Sequence, residues 1–327
     1  MKKTFFSSII LLLPTILTSC ASSSYEKVEG MIWNTFYHIT YQGHPSLADS
    51  IQPVLSEVSR SLSVFDKSSL VSRVNESIAT PVDRHFSAVY TTSLLLNSVS
   101  KGMFDPTLSP LITAWGFGPG HKITNDTTRI DSILAFTGIA KTHIVADTLI
   151  KEDIRTQFNF SAVAKGYGCD MVAEMFRRNG VDNYLIEIGG EITAAGISPS
   201  GESWKISIDT PEESETKVSH DSYAVLNVTD AGLATSGNYR NFHKVGSESL
   251  GHTISPLTGR PVTTDVISAT VIAPSCMEAD AAATACMAAG SEVAKEMLAN
   301  LRFEGMLILS DTTTFMTPGF KELLSNP

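Results

Sequence analysis

The stretch VISATVIAPSCMEADAAATAC, residues 266–286, decides the centre of the fold. Its first part, Val266 to Ala273, is apolar and rich in β-branched residues, which predicts a strand. Ser275 followed three residues later by Glu278 has the spacing of a capping box, so a helix is expected to begin there. Because the alanines that follow are the strongest helix formers, the stretch predicts a strand that leads directly into a helix.

Two polar residues on this helix could carry chemistry. Asp280 and Thr284 are four residues apart and therefore share one helical face. A carboxylate beside a hydroxyl suits a hard cation such as Mg²⁺, which takes oxygen ligands. The same spacing also fits a solvated aspartate near the helix N-terminus and a threonine that only packs, so spacing alone leaves both readings open.

Working outward, similar patterns predict the other elements. Strands are expected at residues 30–41, 184–188, 204–208, 223–228 and 305–309, and helices near residues 47–62, 86–100 and 163–180. The mixed order of strands and helices predicts an α+β (mixed α/β) protein in one large domain.

A second strand-to-helix turn lies in the segment FNFSAVAKGYGCD, residues 158–170. Free amides at a helix start, with Lys165 on the first turn, form a natural phosphate cradle. Gly166 would let a ligand approach the backbone closely. The segment equally fits an ordinary turn with a surface lysine, and it lacks the glycine spacing of a Walker loop.

Two further segments could line the same site. Asp105 precedes Pro106, so its carboxylate is expected to project from a turn. Trp115 and Phe117, in a glycine-rich run, could form a wall for a planar ring or could be core residues. His252 lies in a turn-rich loop and could act as a general base or could be a surface histidine.

The N-terminus predicts an exported, lipid-anchored protein. Lys2 and Lys3 precede a short apolar run and the sequence LTSC, which ends at Cys20 and resembles a bacterial lipobox. An ordinary signal peptide with a chance cysteine is the alternative. We predict a lipoprotein signal peptide at residues 1–19, a lipidated Cys20 with a flexible tether through residue 29, and one domain over residues 30–327.

Composition narrows the possible partners and metals. The 327 residues carry a formal net charge of −10 without basic runs, which argues against nucleic acid as a partner. Beyond the signal, Cys169, Cys276 and Cys286 form neither a CxxC pair nor a Cys/His cluster, so a zinc site is not expected. Cys276 and Cys286 are too far apart along one helix to bond, and free thiols are expected.

Taken together and in order, these segments resemble the ApbE family of FAD:protein FMN transferases. The matching stretches are residues 34–37, 63–66, 72–75, 102–107, 115–118, 161–166, 184–191, 234–237 and 252–261, followed by Asp280 and Thr284. The resemblance covers nearly the whole chain after the signal. It implies a single T-fold-like domain with helices packed on mainly antiparallel sheets.

The resemblance also implies roles for particular residues. The family's Mg²⁺ ligands fall on the carbonyl of Ala162 and on the side chains of Asp280 and Thr284, and its proton-transfer histidine falls on His252. Lys165 and Asp105 are expected to contribute to both catalysis and FAD binding. The remaining FAD contacts fall on Met31, Phe65 and Ile254. The chain departs from the family pattern at Ile32, where glycine is common, and at Ser255, where aspartate is usual.

The implied activity is a Mg²⁺-dependent transfer of FMN from FAD to a threonine of an acceptor flavoprotein, with release of AMP. The family's acceptors are typically subunits of membrane redox complexes, which suits an enzyme lipid-anchored in the cell envelope and facing the periplasm. Two alternatives use the same residues. One is an FAD pyrophosphatase that releases FMN and AMP, and the other is a non-catalytic FAD-binding lipoprotein.

Overall fold

The computed structural model describes residues 24–116, 127–210, 222–237, 242–245, 248–251 and 253–325. Its strands are β1 Tyr25–Ile32, β2 Thr35–Gln42, β3 Ala79–Pro81, β4 Thr142–Val145, β5 Thr148–Lys151, β6 Tyr184–Ile188, β7 Glu191–Ala195, β8 Trp204–Asp209, β9 Ser222–Val228, β10 Ala231–Gly237, β11 Phe242–Val245, β12 Glu248–Gly251, β13 Val266–Ala273, β14 Glu304–Leu309 and β15 Thr314–Met316. Its helices are α1 Ala48–Leu62, α2 Leu70–Glu76, α3 Arg84–Val99, α4 Ser109–Ala114, α5 Thr127–Leu134, α6 Ala164–Arg178, α7 Cys276–Ala289, α8 Ser291–Leu301 and α9 Pro318–Glu322. None of the helices within these residues is both long and apolar enough to cross a membrane.

An eight-stranded sheet forms the centre of the molecule, in the order β1-β2-β6-β7-β10-β13-β14-β15. Every neighbouring pair in it is antiparallel. Strand β13 is covered on both faces: Ala269 and Val271 pack with the helices, whereas Ile272 packs with the β8–β9 hairpin. This explains why β13 reads as a nearly continuous apolar run rather than an alternating one. The predicted mixed fold with mainly antiparallel sheets is confirmed.

Helix α7 is buried on almost every side, between β10 and β13 of the sheet and the helices α3, α6 and α8. Only small side chains fit such a position, which accounts for its run of alanines. The contact with β10 is close enough that a Cβ on Gly232 would lie 2.1 Å from the backbone nitrogen of Cys276. The helix predicted from the capping box therefore forms, and it is a core element rather than an amphipathic surface helix.

The N-terminal part of the sheet differs from the sequence-based prediction. The single strand expected at residues 30–41 is a hairpin of β1 and β2, turned by Trp33 and Asn34, both with positive φ. Two consecutive left-handed residues make the turn that matches the twist of the strands. Because β1 begins at Tyr25, the tether predicted to extend through residue 29 is too long: residues 25–29 are paired with β2.

Candidate active site

The turn before α6 presents a backbone carbonyl. The amides of Val163 and Ala164 both donate to the carbonyl of Phe160, which closes a tight turn ahead of the helix. The Gly166 amide, four residues after Ala162, donates to Oδ2 of Asp280 at 3.1 Å. In a continuous helix that amide would bond to the carbonyl of Ala162. The Gly166 amide is thus directed to Asp280 and does not close a helical turn onto that carbonyl, an arrangement compatible with the predicted role of Ala162 in holding a cation.

Helix α7 supplies the two side chains predicted as metal ligands. Ser275 caps the helix by accepting from the amide of Glu278, as the sequence predicts. Asp280 is buried one turn into the helix, which excludes the alternative of a solvated aspartate. Thr284 is partly buried one turn further on, with its Oγ1 3.4 Å from Oγ of Ser236 on β10. The carboxylate and the hydroxyl thus share one face of a buried helix.

Asp170 joins α6 to α7, a contact that the sequence analysis missed. Its carboxylate accepts hydrogen bonds from the amides of Cys276 at 3.0 Å and Met277 at 2.8 Å, and from the hydroxyl of Thr193 at 3.1 Å. Burial raises the pKa of Asp170 to about 6, although these bonds act in the opposite direction. The only signal in the sequence is its place five residues after Lys165. Its contact fixes the relative position of the two helices.

Lys165, Glu191 and Asp280 form a charged cluster in which both carboxyl groups are buried and the Lys165 side chain is 34% exposed. The ammonium of Lys165 makes an ion pair with Oε1 of Glu191, the first residue of β7. Burial, followed by the charge of Asp280, raises the pKa of Glu191 above its usual range. Burial also raises the pKa of Asp280. At Lys165 burial lowers the pKa, but the charges of Glu191 and Asp280 outweigh it and raise the pKa. The cluster holds two carboxylates and one ammonium.

This donor set fits a hard cation. Carboxylate, hydroxyl and carbonyl oxygens are the ligands that Mg²⁺ prefers, and Mg²⁺ usually takes only one or two carboxylates, with substrate phosphates and water completing its coordination. Oε2 of Glu191 is buried with no hydrogen-bond partner among the described residues. Those residues contain no group of three or more His, Cys, Asp and Glu side chains that could hold a metal ion, so a cation here would need the hydroxyl and carbonyl oxygens as well. Ala162, Asp280 and Thr284 would therefore hold Mg²⁺ together with ligands that the substrate provides.

Asp105 has a different environment from the one expected. Its carboxylate does not project from the turn: Oδ1 accepts from the amide and the hydroxyl of Thr107 at 2.8 and 2.6 Å, and Oδ2 accepts from the amide of Ile139 at 2.9 Å. Burial raises the pKa of Asp105. These bonds show that Asp105 fixes its loop. Its part in FAD binding and catalysis stays a prediction.

The three predicted apolar FAD contacts divide into two exposed residues and one buried residue. Met31 and Phe65 are 60% and 73% exposed, which leaves both residues open to contact with a planar ring. Ile254 is buried in a small cluster with Leu108 and Leu111. Any contact of Ile254 with FAD would therefore use its main chain. His252, Phe117 and Cys20 lie outside the described residues.

Fold and site together define a class of protein. The molecule is a single-domain, mixed α/β protein with a cluster of one partly exposed lysine and two buried carboxyl groups, which suits a cation and a phosphorylated ligand. The model of the ApbE family matches residues 33–307. The chain belongs to the ApbE family, as the sequence resemblance predicts.

Relatives and solved structures agree with this assignment. The FAD:protein FMN transferase of Vibrio cholerae serotype O1 is 33% identical over 289 residues, which cover 85% of each chain. That of Escherichia coli K12 is 32% identical over 317 residues, 91% of this chain and 88% of the relative. The crystallised flavin transferase ApbE from V. cholerae superimposes with a TM-score of 0.81 at 31% identity, covering 92% of this chain and all of that one.

Proposed function

We propose that this protein is an FAD:protein FMN transferase that attaches FMN to a threonine of an acceptor flavoprotein and releases AMP. Relatives that bear that name align with most of the length of this chain. The observation that carries the proposal is the cluster of Lys165, Glu191 and Asp280 at the start of α6, where the Gly166 amide also donates to Asp280. Such a cluster binds a diphosphate through a cation and an ammonium, as cleavage of FAD between its two phosphorus atoms requires.

The reaction replaces the phosphoanhydride bond of FAD by a phosphoester bond to the acceptor threonine. The acceptor hydroxyl oxygen bonds to the phosphorus on the FMN side, and the bond from that phosphorus to the oxygen bridging to AMP breaks. Mg²⁺, when bound, supplies neutralisation of the charge that develops on the diphosphate. Lys165 contributes a second positive charge at the same place. His252 accepts the proton of the attacking hydroxyl, the role of a general base.

Binding and orientation of FAD come from residues around this cluster. Met31 and Phe65 provide exposed apolar surfaces for the flavin ring. Asp105 stabilises its own loop by accepting two hydrogen bonds from Thr107 and one from Ile139. Asp170 keeps the starts of α6 and α7 together, so that the ammonium and the metal ligands stay in one place. The positioning of charge, rather than covalent chemistry by the protein, is expected to account for most of the rate.

Flavinylation of an acceptor tests the proposal. The chain is incubated with FAD, Mg²⁺ and an acceptor domain from a membrane redox complex, and a denaturing gel is read for flavin fluorescence, with EDTA and a Thr→Val acceptor as controls. We expect a fluorescent acceptor band that both controls remove. Release of FMN and AMP without a band would instead identify an FAD pyrophosphatase. FAD binding without either product would identify a binding protein.

We also propose that the enzyme is lipid-anchored through Cys20 in the cell envelope and faces the periplasm, where its acceptors are exposed. The basis is the signal-like N-terminus and the lipobox-like sequence LTSC. Replacing Cys20 with alanine is expected to move the protein from the membrane fraction to the soluble fraction, with Ser22→Ala as a matched control. Equal membrane content of the Cys20 variant and the control would contradict the anchor.

A further inference from the structure

Glu191 is a buried carboxylate with one oxygen that the protein leaves without a partner. Its side chain is only 6% exposed. Oε1 accepts from Lys165, whereas Oε2 has no hydrogen bond from any described residue. A bare carboxylate oxygen is costly in a protein interior, because the group has lost its water and gained nothing in return. A partner that lies outside the protein would remove this cost.

The charge of the cluster points to the chemistry of that partner. Asp280 is a second buried carboxylate close enough to affect Glu191, and Lys165 is the cation that contacts it. Two carboxyl groups thus share one ammonium. Burial raises the pKa of both carboxyl groups, because an uncompensated charge is strongly destabilising there. A divalent cation would add two positive charges to the cluster, and its hydration shell would offer the hydrogen-bond donors that Oε2 lacks.

We propose that Glu191 is an outer-sphere anchor for the cation of this site, with Oε2 accepting a hydrogen bond from the cation's hydration shell while Oε1 holds Lys165. The inference rests on the proposed function, because it takes the cation of Ala162, Asp280 and Thr284 as given. It assigns Glu191 two partners at once. Outer-sphere carboxylates of this kind orient the groups around a metal, and their loss typically lowers metal affinity 10- to 100-fold.

A competing role would be to hold Lys165 alone. In that case Glu191 would affect the position of the ammonium and the use of FAD, but removing its charge would leave cation binding unchanged. Cation affinity measured without FAD therefore separates the two roles. Mn²⁺ is a suitable probe, because it accepts the same oxygen ligands as Mg²⁺ and its free form is read directly by electron paramagnetic resonance.

The experiment titrates Mn²⁺ into the full chain without FAD and compares the wild type with Glu191→Gln, Glu191→Asp and Lys165→Met. We expect Glu191→Gln to weaken Mn²⁺ binding at least about tenfold. Glu191→Asp keeps the charge and is expected to retain much of the affinity. Lys165→Met removes a competing positive charge, so its affinity is expected to equal or exceed that of the wild type. Thermal unfolding confirms that each variant is folded.

The outcomes separate this inference from the function on which it rests. Equal Mn²⁺ affinity of the wild type and folded Glu191→Gln would overturn the role of Glu191 while leaving the transferase intact. If Glu191→Gln does not fold, Glu191→Ala is titrated in its place, and an affinity equal to that of the wild type would overturn the role as well. Glu191-dependent Mn²⁺ binding in a chain that fails to flavinylate any acceptor would support the anchor and contradict the transferase instead.

Discussion

Replacing Asp280 with alanine is expected to abolish Mg²⁺-dependent turnover of FAD, with a loss of about a thousandfold or more in kcat. Asp280 is the charged side chain among the proposed metal ligands, and it also accepts a hydrogen bond from the amide of Gly166. Its loss removes the attraction for the cation and lets that amide turn back to the carbonyl of Ala162. Both effects weaken the proposed metal site. Steady-state kinetics over a range of Mg²⁺ concentrations provide the measurement.

The control for this prediction is Glu278→Gln, two residues earlier on the same helix. A glutamine there removes one negative charge but still accepts a hydrogen bond from Ser275 at the helix start. We expect this variant to retain nearly full activity. Asp280→Asn gives a second comparison, because it keeps the volume and an acceptor oxygen but not the charge. Undiminished turnover of Asp280→Ala at low Mg²⁺ would rule out its role as a metal ligand.

The second large effect is expected from Gly166→Ala. Alanine is the better helix former by up to about 1 kcal/mol, so helix propensity alone predicts stabilisation. However, the new Cβ would lie 2.3 Å from the carbonyl oxygen of Cys276 and 2.9 Å from Cβ of Asp280. Because the first of these is backbone, α6 and α7 must separate. We expect a net loss of about 2–3 kcal/mol in the free energy of unfolding, together with a large loss of FAD turnover.

Gly180→Ala, two residues after the end of α6, is the matched control. Its φ is +70°, and an added Cβ would meet no atom within 4 Å. Only backbone strain of about 1–2 kcal/mol should result, without a change in kcat. Urea denaturation measures the stability of both variants, and kinetics at saturating Mg²⁺ measures their turnover. Wild-type activity in Gly166→Ala would show that the close approach of α6 and α7 is not needed by the site.

The sequence predicts the regular elements well, and it fails where tertiary contacts decide. Helix α7 is recognisable from its cap and its alanines, both of which are local signals. Its burial on nearly all sides cannot be predicted from periodicity, because a helix without a polar face shows no periodic pattern of apolar and polar residues. The hairpin of β1 and β2 was missed because its turn uses Trp33 and Asn34 instead of glycine. Trp33 is held in the turn because its indole donates a hydrogen bond to Oγ of Ser59 and packs beside Gly168.

The site residues also divide into those that a local motif marks and those that only tertiary contacts define. Short motifs mark Lys165, Asp280 and Thr284 as candidates but leave a purely structural reading open, and the family resemblance assigns them the site roles that stay predictions. Glu191 and Asp170 were missed as site residues, since their roles depend on β7 and the start of α7 lying against α6. Nothing local marks them, although Glu191 belongs to a stretch that matches the family. The inward carboxylate of Asp105 could not be foreseen either, because its partner Ile139 is distant in sequence.

The prediction of free thiols at Cys276 and Cys286 is confirmed; Cys169 is free as well, and all three are fully buried. Burial raises the pKa of each thiol, to about 12 for Cys286, so the reactive thiolate is scarce in the folded state. Alkylation of Cys169 and Cys276, which lie on α6 and α7, thus requires the two helices to part. Its rate under native conditions reports how often the site opens, and a ligand that clamps the helices together will slow it.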